Sequence, residues 1–339
     1  MRIGKLTNQD LQRIVLQRLP ALSETTITGA AIGSDCACIR SGEGRIYVSS
    51  DPVTAGGNRT GTLAIHVSCN DIAAIGQKPI GIMFVLIAPP SATEEELISM
   101  IDQAGDTARS LGVDIVGGHT EISDAVNRFV ITTTAFAYAS KDQPRMSGIA
   151  KSGDTLLMTK TAGIEGAYIA ASQFSDRLGE LTGDELQTAR DFFSELSVVR
   201  EGVAAASCVS QAADDTEHRE SAVHMMHDVT EGGVFGAAYE MAELSGCGLR
   251  IWAERVPIHA VTRRITDLLG LDPMRLISSG SLLIATAEPD QVIARLHEEN
   301  VDVTPIGVFT DQGMILAGTD GDERELDAPR VDELYSLYQ

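Results

Sequence analysis

Carboxylates, histidines and paired glycines recur in this 339-residue chain at points where a strand gives way to a turn or a helix begins. Asp35 lies in Ile32-Gly33-Ser34-Asp35-Cys36-Ala37, and Asp51 in Ser49-Ser50-Asp51-Pro52. Asp71 follows Asn70 inside an otherwise apolar segment. Gly117-Gly118 leads into His119, Thr120 and Glu121, and His227-Asp228-Val229-Thr230-Glu231 leads into Gly232-Gly233. Most of these pieces also have a plain reading: a Gly-Ser-Asp turn, a strand stopped by proline, a tight glycine pair, a helix N-cap at Asp228 or Thr230. Asn70-Asp71 fits a plain reading least, because a carboxylate among apolar neighbours is costly without a cation or several donors. Separated carboxylates with a glycine pair suit a magnesium–nucleotide site, since Mg²⁺ is held by a few carboxylates together with substrate phosphates. Backbone N–H groups at glycine turns and helix N-termini approach such phosphates. Several ions neutralise a triphosphate where lysine is scarce, and this chain has only Lys5, Lys78, Lys141, Lys151 and Lys160.

Periodicity and capping signals give the elements that must position these groups. In the first half, residues 8–19 read as a helix with Thr7 as N-cap, and 45–50 as a strand ending at Asp51-Pro52. Residues 61–76 read as a helix ended by Gly76, 80–88 as a buried strand, and 93–111 as a helix opened by a Thr93/Glu96 capping box. A strand over 113–116 ends in Gly117-Gly118, and 129–139 is a β-branched strand. In the second half, strands are expected over 155–159, 281–286 and 303–309, and helices over 163–174 and 288–300. One or two helices lie within 183–213, and a loop from His227 passes into a helix reaching Leu244. The turn Gly163-Ile164-Glu165-Gly166 is neither a P-loop nor a dinucleotide fingerprint. The polar stretch from Lys141 to Gly153 marks the boundary between an N-terminal domain, 1–150, and a C-terminal one, 151–339. Mixed strand and helix order in both halves indicates an α+β or α/β chain.

Composition limits the function classes. Asp plus Glu total 48 against 26 Lys plus Arg, a net charge of −22, which disfavours nucleic acid and anionic membrane surfaces as partners. No apolar run approaches a membrane span, and MRIGKLTNQD carries no secretory h-region. Five cysteines suit reduced thiols in a cytoplasm. Cys36-Ala37-Cys38 with His66-x-x-Cys69 has zinc-type ligands without the usual spacing, so buried thiols are the competing reading.

The ordered series resembles one superfamily. It runs Gly33-Ser34-Asp35-Cys36-Ala37, Ser50-Asp51, Leu63 to His66, Asn70-Asp71-Ile72-Ala73-Ala74-Ile75-Gly76, Pro79, Gly117-Gly118, Gly153-Asp154, Asp228 to Gly233 and Ser279-Gly280-Ser281. The superfamily contains aminoimidazole ribonucleotide synthetase, thiamine-monophosphate kinase, selenophosphate synthetase and the hydrogenase maturation factor of E type. The resemblance implies a two-domain α+β fold. The N-terminal sheet would pair with that of a second copy into a barrel-like homodimer core, and the C-terminal domain would close over a nucleotide cleft. It implies ATP and Mg²⁺ as cofactors, with Asp35, Asp51 and Asp71 as metal ligands and Gly117, Gly118 and Thr120 near the phosphates. Asp228, Thr230 and Glu231 fall where these families place polar residues facing phosphates or a second substrate. Lys5 lies in a segment that in relatives folds over ATP.

The departures shape the functional expectation. His119 stands where relatives carry Asp or Glu after the glycine pair, and it is a poor ligand for a hard ion. Glu121 could serve as the metal ligand, leaving His119 as an acid–base or phosphate contact. No cysteine follows Cys247, so the terminal-cysteine chemistry of the E-type factor is not expected, and the first 35 residues lack the cysteine that selenophosphate synthesis needs. Motif wording is closest to maturation-factor-like relatives. Two readings follow. In one, an ATP-dependent enzyme activates an oxygen of a small-molecule or protein-borne amide or acid, with His119, His227, Asp228 and Glu231 as catalytic candidates. In the other, a non-catalytic, ATP-responsive protein serves metalloenzyme assembly. An open cleft beside Glu231 lined by polar groups would favour the first; a closed, apolar-filled one would favour the second.

Overall fold

A computed structural model describes residues 7–19, 23–54, 59–211, 220–318 and 322–338, so Lys5 lies outside the described residues. The chain opens with a helical segment in which Thr7 caps α1 (Asn8–Asp10) by accepting from the Asp10 N–H; irregular turns continue it to Arg18. A mixed sheet then forms from β1 (Thr26–Thr28), β2 (Ala37–Ser41), β3 (Gly44–Val53), β4 (Gly81–Ala88), β5 (Asp114–Ile122) and β6 (Val130–Ala139). Its order is β1-β2-β3-β6-β4-β5, and only the β4–β5 pair is parallel. The sheet is open, and no closed barrel is present among the described residues.

Two helices follow sequence signals closely. In α3 (Glu94–Leu111), the Thr93/Glu96 capping box is present and Gly112 ends the helix in the left-handed conformation. In α2 (Thr60–Ala74), all but His66 and Val67 are buried, because the helix lies between the first sheet and the C-terminal half. Thr133 on β6 donates to the Ala64 carbonyl at 2.7 Å on one side. On the other, α6 (Val199–Ala206) crosses so closely that a Cβ on Gly202 would lie 2.2 Å from the Ala73 oxygen. Asn70 clamps the crossing: its amide donates to the Leu196 carbonyl at 2.8 Å and accepts from the Val198 N–H at 2.9 Å.

The second sheet contains β7 (Thr155–Thr159), β8 (Val223–Asp228), β9 (Gly248–Trp252), β10 (Leu282–Thr286), β11 (Val303–Thr310), β12 (Met314–Ala317) and β13 (Glu323–Glu325), in the order β13-β12-β9-β11-β7-β10-β8. Helices α4 (Ile164–Gln173), α5 (Gly183–Asp191), α7 (Gly233–Ser245), α8 (Ala260–Leu269) and α9 (Pro289–Glu298) accompany it. One apolar cluster runs from Leu63 and Ile72 of α2 through Leu157, Ile164 and Leu196, so the two halves share a core.

Three sequence expectations are corrected. The strand carrying Asp51 does not stop at Pro52, which pairs with Thr132. Beyond Val48, β3 has lost its β2 partner, and proline is tolerated on such an edge. The strand before the glycine pair does not end there: β5 runs through Gly117 and Gly118 to Ile122, because Gly118 packs where a Cβ would fall 1.7 Å from the Phe84 oxygen. His227 and Asp228 are not loop residues; they end β8 and pair with Leu283 and Leu282.

Candidate functional site

The α+β fold brings four of its aspartates into one locality from separate elements. Ser49 and Asp51, two residues apart on β3, share a face of the sheet. Ser49 Oγ donates to Asp71 Oδ2 across to α2 and lies 3.3 Å from Asp51 Oδ2. Asp35 stands just after the Gly33 bend, which rests on α7: Gly33 has φ +74° and a Cβ there would sit 3.1 Å from the Glu240 oxygen. Cys36 seats this segment by donating its thiol to the Asp71 carbonyl at 3.3 Å. Asp228 arrives from the end of β8, on the C-terminal side.

Electrostatics records the convergence. Burial, then the charges of Asp228, Asp51 and Asp35, push the Asp71 carboxyl well above its ordinary value. Burial and the same four aspartates raise the Cys36 thiol, so it is no nucleophile. Asp228 is buried, and its Oδ2 meets no hydrogen-bond donor. His227 supplies a counter-charge. Its Nδ1 lies 3.1 Å from Asp35 Oδ1 and 3.8 Å from Asp228 Oδ1, and its Nε2 lies 3.3 Å from Glu240 Oε2. Burial disfavours the imidazolium, but Asp35, Asp228 and Glu240 outweigh it and hold the pKa well above the usual histidine range. Asp35, His227 and Asp228 each present a ligand atom within 4.8 Å of the others, the one such group among the described residues. The carboxylate oxygens are donors that Mg²⁺ prefers; the histidine nitrogen is not. Cys36, Cys38, His66 and Cys69 form no metal group among the described residues, and the cysteines are free.

The other sequence candidates lie elsewhere. Asp51, Thr133, Phe84 and Gly118 are successive cross-strand partners, which puts Gly118 three strands from Asp51, roughly 14 Å at ~4.8 Å per strand. His119 and Glu121 follow on the exposed β5, where His119 Nε2 meets Glu121 Oε2 at 3.0 Å; Thr120 lies between them. Within one chain, these residues and Gly117 do not reach the aspartates.

Thr230 and Glu231 occupy the turn into α7, and Glu231 joins a second polar group that sequence reasoning did not assemble. Tyr335 donates its hydroxyl to Glu231 Oε1 at 2.9 Å. Asp332 accepts from the N–H groups of Gly232 at 2.7 Å and Leu334 at 2.8 Å, yet burial carries its carboxyl to about 6. Glu165, in the first turn of α4, is hydrogen-bonded by Ser279; burial, aided by the charges of Asp332 and Glu231, raises it to about 7. The sequence showed Glu165 in its Gly163–Gly166 turn but gave it no role, and gave no signal for Asp332 or Tyr335. Ser49 was detectable as the residue two before Asp51 on a strand, and Glu240 as about two turns of helix beyond the Gly233 start.

Comparison with known proteins places this geometry. Residues 33–139 match the model of the AIR synthase related protein N-terminal domain, and residues 151–317 match that of its C-terminal domain. A putative hydrogenase expression/formation protein of Methanocaldococcus jannaschii is 25% identical over 342 residues, spanning 98% of this chain and 96% of its own. The carbamoyl dehydratase HypE of Escherichia coli is 30% identical over 298 residues, spanning 84% of this chain and 80% of its own. A crystal structure of the hydrogenase maturation protein HypE in complex with ATP superposes with a TM-score of 0.67 at 21% identity, covering 98% of this chain and 97% of that one.

Proposed function

This chain belongs to the AIR synthase-related family, and from that premise we propose that it binds ATP with Mg²⁺ and activates an oxygen of a small molecule, an amide or acid, by phosphoryl transfer. The observation that carries the reading is Asp71, buried and pushed up by three neighbouring aspartates, beside an Asp228 oxygen without a donor. Carboxylates crowded in this way are relieved by a hard divalent cation. Asp35, Asp51, Asp71 and Asp228 would hold it, and when bound it supplies positive charge that neutralises the triphosphate. A relative of 30% identity is a carbamoyl dehydratase, a reaction in which an amide-type oxygen must leave, and phosphorylation makes such an oxygen a leaving group. The acceptor oxygen would bond to the γ-phosphorus as the bond to the ADP oxygen breaks. His227, ion-paired on both ring nitrogens, would position Asp35 and Asp228 rather than shuttle a proton. Glu231 keeps the acid–base or orienting role on the acceptor side.

The groups around Glu231 are polar: Glu165, Ser279, Asp332 and Tyr335. The polar lining is what the enzyme reading expects, while the burial of Glu165 and Asp332 is the closure expected of a non-catalytic assembly protein for metalloenzyme maturation. The exposed β5 edge supports a homodimer. A second copy would cover Ile115, Val116 and Ile122, now 40%, 55% and 54% exposed, and would take Gly117, Gly118, His119, Thr120 and Glu121 into the interface.

Titration calorimetry tests the nucleotide reading. ATP is expected to bind the wild type only with Mg²⁺, and at least tenfold more weakly to Asp71→Asn, about 1.4 kcal/mol. Failure of Mg-ATP to bind the wild type would end the reading.

A further inference from the structure

Lys151, Asp154 and His224 form a row of polar contacts outside the aspartate cluster. His224 lies on β8, with its Nδ1 2.9 Å from Asp154 Oδ1 and 2.8 Å from Asp154 Oδ2. Its Nε2 stands 3.0 Å from Lys151 Nζ. Exposure rises along the row, from 2% of the Asp154 side chain through 16% of that of His224 to an exposed Lys151. The backbone beneath is pinned. Asp154 Oδ2 accepts from the Lys151 N–H at 2.8 Å, and the Ala150 N–H donates to Ser245 Oγ at 2.8 Å. The Gly153 N–H donates to the Phe309 carbonyl and the Gly148 N–H to the His224 carbonyl, each at 2.9 Å.

Donor and acceptor counting places the protons. An ionised carboxylate only accepts, so His224 Nδ1 carries the ring proton towards Asp154 and Nε2 keeps a lone pair towards Lys151. A buried carboxylate that orients an imidazole, with a nucleophile at the other ring nitrogen, is the arrangement that activates hydroxyl and thiol nucleophiles. Here an amine occupies the place of the nucleophile. Among the described residues, the other lysines are set differently. Lys141 pairs with Glu43 at 2.8 Å, and Lys160 with Glu201 at 2.7 Å and with the carbonyls of Glu195, Ser197 and Gly280. Lys78 is exposed, without an imidazole at its nitrogen.

We propose that Lys151 is a nucleophile activated by the Asp154–His224 pair and that it takes the acyl group of an acyl phosphate. The ammonium first gives one proton to solvent. The resulting amine donates one N–H to His224 Nε2 and presents its lone pair outward. The bond from Nζ to the acyl carbon forms, the C–O bond to phosphate breaks, and phosphate leaves with that electron pair. The proton displaced from Nζ passes to His224 Nε2, where Asp154 steadies the imidazolium, and then to solvent. The products are an Nε-acyl-lysine and inorganic phosphate. An acyl phosphate fits a site that supplies a base, because its leaving group departs as a stable anion and needs no proton from the protein. The step is independent of the nucleotide reading, which uses none of these residues.

The test incubates the full chain with acetyl phosphate and follows acetylation of each lysine by peptide mass spectrometry. Lys151 is expected to react roughly tenfold or more faster than Lys78 and Lys141, the low end of what a positioned base supplies. His224→Gln is expected to bring Lys151 down to the rate of Lys78 while leaving Lys78 and Lys141 unchanged, with circular dichroism confirming that the variant folds. The two reference lysines are read in the same sample, so a loss confined to Lys151 is separated from general unfolding. Lys151 reacting no faster than the reference lysines in the wild type would overturn the proposal and leave the row as a structural staple. A Lys151 rate unchanged in folded His224→Gln would overturn it equally. The wild-type comparison needs no variant, so it decides the matter even if His224→Gln fails to fold.

Discussion

His227 Nδ1 stands 3.1 Å from Asp35 Oδ1, and the two residues come from opposite halves of the chain. The imidazolium is a counter-charge for Asp35, Asp228 and Glu240, the acids it meets. Its raised pKa means that the stability it contributes is fully present below the ordinary value near 6.5 and disappears as pH rises through the folded value. In metal-free protein at pH 6, His227→Gln is therefore expected to cost about 3–5 kcal/mol, the usual penalty for breaking a buried ion pair. Urea unfolding in EDTA measures it. Added Mg²⁺ should restore part of the loss by supplying positive charge to the same carboxylates. A variant as stable as the wild type under EDTA would show that His227 is not the compensating charge.

Glu165 gives the opposite pH dependence to a salt-bridged acid. Its folded pKa of about 7 lies above the ordinary 4.5, so the fold resists its ionisation. Its ionisation should cost nothing below about pH 4.5, grow through pH 7, and level off near 3 kcal/mol above it. Glu165→Gln removes that term. The variant should match the wild type near pH 5 and exceed it by about 1–3 kcal/mol at pH 8. Equal stability differences at the two pH values would contradict the assignment.

The β5 edge yields a test of association. Val116→Lys places a charge on a strand whose Ile115, Val116 and Ile122 are exposed in the single chain. Sedimentation should give a dimer for the wild type and a chain at least tenfold weaker in self-association for the variant, about 1.4 kcal/mol. A monomeric wild type at working concentration would remove the basis for pairing through this edge.

How far the sequence reached depended on whether the signal was local. The apolar run around Asn70-Asp71 placed Asp71 on a buried helix face, and Asp71 is buried. The Thr93/Glu96 pair set the start of α3 correctly, because capping is decided within one turn. The glycine pair misled. In isolation it reads as a turn, whereas glycine at position 118 is required by close approach to Phe84 inside a continuous strand, a requirement that only tertiary packing reveals. His227 and Asp228 looked like loop residues because they are polar, yet they end a strand that meets the partner half of the chain. Glu165 and Asp332 were out of reach for a related reason: they lie at opposite ends of the C-terminal half, and only the folded chain brings their charges together.

The apolar core that passes without interruption from α2 into the helices of the C-terminal half has a practical meaning for dissection of the chain. Severing the backbone between the sheets, near residues 140–150, would cut the polypeptide but not the packing. The Asn70 clamp and the Gly202–Ala73 crossing would still join the pieces. The nicked protein should elute as one particle and melt in one transition. Expressed separately, each piece would expose the apolar face that the other normally covers, so neither should behave as an independent module.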